Sequence, residues 1–170
     1  PYTIGQRYGS AAAPEEIDWD AANREMRPEI AAERAEDVRA ARAEAWRLRA
    51  VALLAVPDAI GALDALRRAV VLDDRSAAAH RDLGRLLADA RSEDDRDEGL
   101  THLERATALD PSDLEAWLAL AALRSDRGDV DGAAAALDAA ARQHAKDPRL
   151  LHARARLELT GRHDVVRAQE

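Results

Sequence analysis

Three times along the chain a small residue, a leucine four positions on and a second small residue three further stand in the same order. They are Ala62, Leu66 and Ala69, then Gly99, Leu103 and Ala106, then Ala133, Leu137 and Ala140. Steps of four and three bring all three side chains to one face of a helix. On that face small residues let a second helix backbone approach, and the leucine fills the groove between the two. A pattern that returns at regular intervals marks stacked supersecondary units, none of which buries its apolar face alone. The chain is therefore constrained to helices packed on helices in series.

A second set of positions precedes each of these. A large slot holds Trp46, His80, Trp117 and Leu150, with His80 taking the aromatic place in its helix, and a small slot four residues later holds Ala50, Gly84, Ala121 and Arg154. Arg154 departs from the pattern. Pro111 closes the second unit, where the first has Asp74 and the third His144. Together these residues resemble the tetratricopeptide repeat, with its W-x2-L-G-x2-Y, A-x3-F and closing P over about 34 residues. The resemblance covers roughly three quarters of the chain. It implies an all-α fold, an α-solenoid in the form of a right-handed superhelix, with repeats at about 43–76, 77–113 and 114–146 and a partial one at 147–170. The second repeat carries about three extra residues in RSEDDRDEG, expected as a loop between its helices.

Upstream of residue 43 the pattern stops. Residues 1–14 mix Gly, Ser, Ala and Pro without apolar periodicity and read as a linker or a disordered N-terminal segment. Residues 15–42 read as a helical extension, with a break expected between Arg27 and Pro28 because the residue before proline is pushed out of the helical region. A second helix then starts at Pro28, with a thin apolar stripe of Ile30, Ala31, Ala35, Val38 and Ala41. Asp58, Asp129 and Asp147 are expected as N-caps, Pro111 and Pro148 in first helical turns, and Gly128 and Gly161 in turns between helices.

The composition narrows function by exclusion. The formal charge is −8 and no segment is a basic block, so the counterion release that drives nucleic-acid binding is missing. The apolar run Ala50 to Val56 stops at Pro57, far short of the ~20 residues that span a bilayer. No membrane insertion is expected, and a cytoplasmic location is the working assumption. Cysteine is absent, which removes disulfides and thiolate chemistry. Lysine occurs once, at Lys146, so positive charge is almost all arginine, as a GC-rich bacterial genome would encode. The start at Pro1 without Met reads as a processed or excised piece of a longer protein.

No sequence motif of catalysis is present: no HExxH, P-loop, GxSxG or dinucleotide fingerprint. His80, His102, His144, His152 and His163 lack metal-ligand spacing. Glu93, Asp94, Asp95, Asp97 and Glu98 lack the glycine and spacing of a calcium loop. No enzyme activity, cofactor or metal is expected. The resemblance implies that a partner peptide or helix lies along the concave face lined by the first helix of each repeat. The inward residues there are Arg47, Leu48, Val51, Leu54, Arg81, Asp82, Arg85, Asp89, Leu118, Ala122, Ser125, Leu151 and Ala155. Arg81 and Arg85 stand one turn apart, and such like charges cost about 0.2–0.5 kcal/mol. Either acidic groups of a ligand neutralise them, or Asp82, Asp89 and Glu115 do so internally. The lysines and asparagines with which some members of the family clamp a C-terminal carboxylate are missing, since Asn23 is the sole asparagine. The expected function is a non-enzymatic scaffold or adaptor that binds another protein. The alternatives are a regulatory or substrate-recruiting part of a larger enzyme, and a self-assembling unit in which residues 15–42 fill a neighbour's groove, giving a homo-oligomer.

Overall fold

The computed structural model of the chain describes the backbone of residues 19–56 and 58–167 and the side chains of residues 27–56 and 58–159. The linker expected at residues 1–14 lies outside the described residues. Those described form seven helices and no strand: α1 (Trp19–Ala55), α2 (Ala59–Leu72), α3 (Ala77–Ala88), α4 (Glu93–Leu109), α5 (Leu114–Asp126), α6 (Val130–His144) and α7 (Pro148–Arg167). By its contacts the chain divides into residues 1–38 and residues 39–170. No described helix is long and apolar enough to cross a membrane.

In the first unit the described residues are helical, and every described side chain, from Arg27 onward, is exposed. The expected break at Pro28 does not occur, because α1 runs through it. Proline removes one helical hydrogen bond and costs about 3 kcal/mol, but the flanking Ala, Arg and Glu residues are strong helix formers that carry the helix across.

In the second unit three helical hairpins follow one another, each a leading and a trailing helix: the C-terminal part of α1 with α2, α3 with α4, and α5 with α6. This is the all-α, solenoid-like arrangement that the recurring positions demand. The trailing-helix slots are all buried: Ala62, Leu66 and Ala69, Gly99, Leu103 and Ala106, and Ala133, Leu137 and Ala140. Ala50, Ala62, Ala65, Leu66, Leu83 and Leu87 form one core, against which Trp46 packs. Leu103, Leu120, Ala121, Ala133, Leu137 and Leu150 belong to the next, against which Trp117 packs.

The large slots also share their polar contacts. The Trp117 indole N–H donates to the Pro111 carbonyl at 3.0 Å, and His80 Nε2 lies 3.1 Å from the Asp74 carbonyl. In both, a ring nitrogen reaches the carbonyl six residues upstream, tying the leading helix to the loop before it. Asp58, Asp129, Ser76 and Asp113 cap α2, α6, α3 and α5. Asp147 accepts the Arg149 N–H at 2.9 Å, and Gly128 takes the turn before α6 with φ +78°.

Three local expectations are corrected. Pro111 lies in the turn between α4 and α5, not in a first helical turn, because Asp113 caps α5 two residues later. Gly161 makes no turn, since α7 continues to Arg167 and the described residues of the fourth unit form one helix. The extra residues of the second repeat do not form a loop but open α4, where Glu93, Asp94 and Asp95 occupy the first turn. Carboxylates are favoured there by the helix dipole.

Candidate partner-binding groove

The leading helices line two adjoining hollows. The first, of about 260 Å³, is bounded by Ala50, Val51 and Leu54 of α1, Leu66 of α2, and Asp82, Arg85, Leu86 and Asp89 of α3. The second, of about 520 Å³, is walled by Leu118, Ala119 and Ala122 of α5 and by Arg149, His152, Ala153 and Arg156 of α7. Arg85 lines both. A smaller recess holding Ser125 opens beside Leu118 and Ala122. The structure thus brings Val51, Leu54, Arg85, Leu118 and Ala122 to the walls. Leu48 (54% exposed) and Leu151 (52% exposed) are at the surface and outside these walls.

On α7 the wall is shifted round the helix from the expected Leu151 and Ala155. Leu150 is fully buried and Ala153 and Leu157 pack on the same core, which turns Arg149, His152 and Arg156 into the hollow instead. The repeat spacing places the core residue correctly but not its neighbours, since one residue corresponds to a rotation of about 100°. Arg149, His152 and Arg156 were legible as an i, i+3, i+7 set once Leu150 is taken as the core residue.

The arginines divide into two kinds. Arg47 donates to Asp82 Oδ2 at 2.8 Å and to both Glu44 oxygens at 2.8 and 2.7 Å. Arg81 donates to Asp82 Oδ1 at 3.0 and 2.9 Å and to Asp113 Oδ2 at 2.8 Å. Arg149 pairs with Glu115 and with Asp147. A line of alternating charge therefore ties α1 to α3, α3 to the cap of α5, and α5 to α7. The Arg47 and Asp82 side chains are only 17% and 15% exposed, so solvent screens this pair weakly. The Glu44 hydrogen bond holds the Arg47 guanidinium well above its ordinary pKa against a smaller opposing effect of burial, with Asp82 adding to the rise. For Arg81 burial acts downward, and Asp82 and Asp113 outweigh it. Arg85 is different: it is exposed and makes no ion pair with any described residue. Arg81 is neutralised internally, by Asp82 and Asp113.

Among the described residues no three of His, Asp and Glu gather closely enough to hold a metal ion. Residues 90–157, spanning α4 to α7, match the family model of the tetratricopeptide repeat. That segment, α4 to α7, is tetratricopeptide-like. Solved tetratricopeptide repeat domains share the fold: the Arabidopsis OM64 domain, at 15% identity over 71% of this chain and 97% of that one, superposes with a TM-score of 0.63. The Sgt2 domain from Aspergillus fumigatus, at 18% identity over 75% and 82%, gives 0.62. MamA, at 24% identity over 61% of this chain and 59% of that one, gives 0.54. No curated protein matches the chain. Tetratricopeptide repeats are protein-interaction modules.

Proposed function

We propose that this chain is a non-enzymatic scaffold or adaptor whose groove takes an amphipathic peptide or helix of another protein, with an acidic group of the ligand on Arg85. The observation that carries this reading is the position of Arg85 on the walls of both hollows, with no ion pair to any described residue. Val51, Leu54 and Leu86 on one side and Leu118, Ala119 and Ala122 on the other offer apolar contact. Arg47 and Arg81 hold the leading helices in register and do not contact the ligand. Acidic and charge-reversed amphipathic peptides, titrated by fluorescence anisotropy, test the assignment. Acidic peptides bind the wild type, and Arg85→Glu weakens them at least about ten-fold, the scale of a lost charged contact, with an unchanged melting curve. Equal affinity for both peptide sets, or for both proteins, rejects it.

A second reading rests on α1, where every described side chain from Arg27 to Arg42 is exposed, Ile30 and Val38 among them. A helical stretch with an uncovered apolar stripe suits packing on a second copy of the chain. Light scattering that returns a monomer mass across the accessible concentration range rejects self-association.

A further inference from the structure

The second repeat contains a pair of imidazoles, one buried and one half-buried, that the groove does not use. His80 of α3 (6% exposed) and His102 of α4 face each other with their Nδ1 atoms 2.9 Å apart and their ring centroids 5.0 Å apart. On its far side His80 Nε2 meets the Asp74 carbonyl, while His102 Nε2 lies 3.7 Å from Glu98, which is itself bound by Arg67 of α2. The cluster therefore connects the loop after α2 to α3, α3 to α4, and α4 back to α2.

The neighbours assign the protons. A carbonyl only accepts, so His80 carries its hydrogen on Nε2 and offers the Nδ1 lone pair. His102 then donates Nδ1–H across the gap, and its own Nε2 is bare. A first added proton goes to His102 Nε2, on the side of the Glu98 carboxylate, and leaves the bond between the rings intact. A second can enter only at His80 Nδ1, where it sets N–H against N–H and cation against cation. We propose that this pair is an acid-sensitive latch on the second repeat, closed while at most one imidazole is charged and opened when both are.

The surrounding charges set where it opens. Burial pulls the pKa of His80 below the ordinary histidine value and Arg105 adds to this, while the Asp74 carbonyl and the Asp73 and Asp74 charges oppose it. Burial likewise lowers His102, helped by His80 and Arg67 and opposed by Glu98. Groups with a lower pKa in the folded state bind more protons when unfolded, so stability is full above about pH 6.5 and is lost as the pH falls below it. Because α3 also carries Asp82, Arg85 and Leu86, opening the hairpin distorts the groove. The latch itself is read from α3 and α4 without reference to any ligand.

Amide hydrogen exchange of the full chain at about pH 7.5 and about pH 5, corrected for intrinsic exchange, tests it across the range in which histidine titrates. In the wild type, protection of α3 and α4 falls about ten-fold more than that of α5 and α6, the scale of a lost hydrogen bond between charged groups. His102→Asn keeps an N–H donor near the Nδ1 position and His80→Gln keeps one for the Asp74 carbonyl; neither titrates, so in both the excess loss disappears. An equal loss in wild type and variants, or no excess in the wild type, overturns the latch. Nitrogen NMR titration of the wild-type imidazoles needs no variant: two separate steps are expected, His102 first. Coincident titration at the ordinary histidine value overturns the assignment equally.

Discussion

Gly84 shows how little room the helix crossing leaves. A Cβ built there would lie 2.8 Å from the Gly99 carbonyl oxygen and 2.7 Å from Leu103 Cγ, and one on Gly99 would come within 3.1 Å of the Gly84 carbonyl oxygen. The backbones of α3 and α4 thus meet glycine on glycine, and a carbonyl cannot turn aside as a flexible side chain can. Gly84→Ala is expected to cost about 1–3 kcal/mol, the usual penalty of overpacking, read as a lower denaturation midpoint. An unchanged midpoint would mean that the two helices re-space freely. The small slot at Gly84 is legible from its four-residue offset from His80. The glycines after the caps are not legible in that way. A Cβ on Gly132 would fall 2.0 Å from Asp129 Oδ2, and one on Gly61 would fall 2.4 Å from Asp58 Oδ2. Each cap carboxylate folds over the third residue of its helix to accept that N–H, a contact that no apolar periodicity records.

Between helices, the apolar and ionic contacts have different legibility. Leu66, Leu103 and Leu137 follow from spacing because burial depends on which face a residue occupies. The line from Glu44 through Arg47, Asp82 and Arg81 to Asp113 does not, since its members stand more than 30 residues apart in pairs such as Arg47 and Asp82 and meet only once the hairpins stack. Asp82 joins two arginines from successive leading helices. Asp82→Ala is expected to destabilise the fold by about 1–3 kcal/mol, because it leaves two partly buried guanidinium groups short of an acceptor. A double-mutant cycle with Arg47→Ala measures the coupling, and additive losses would show that the pair contributes nothing. The same stacking pairs Arg81 with Asp82 and, across repeats, with Asp113, a choice between internal and ligand neutralisation that helix face alone left open.

For residues 39–170 as a body, stability is expected to be a sum of hairpins and their nearest-neighbour contacts. The single helix of the fourth unit closes the second core with Leu150, which is fully buried, and with Ala153 and Leu157. A chain ending at Ala145 is expected to stay helical by circular dichroism and to lose about 2–5 kcal/mol, the scale of deleting a buried leucine. No change in denaturation midpoint would show that α7 does not contribute to the fold. Helical class, repeat spacing and buried leucines follow from local periodicity, because turning a residue inward or outward is a property of one helix; that the leading helices line the groove comes only from the family resemblance. Which arginines remain unpaired, which side of α7 enters the hollow and which histidines meet are set by contacts between helices far apart in sequence. Those contacts depend on distances of a few ångströms that no spacing rule encodes.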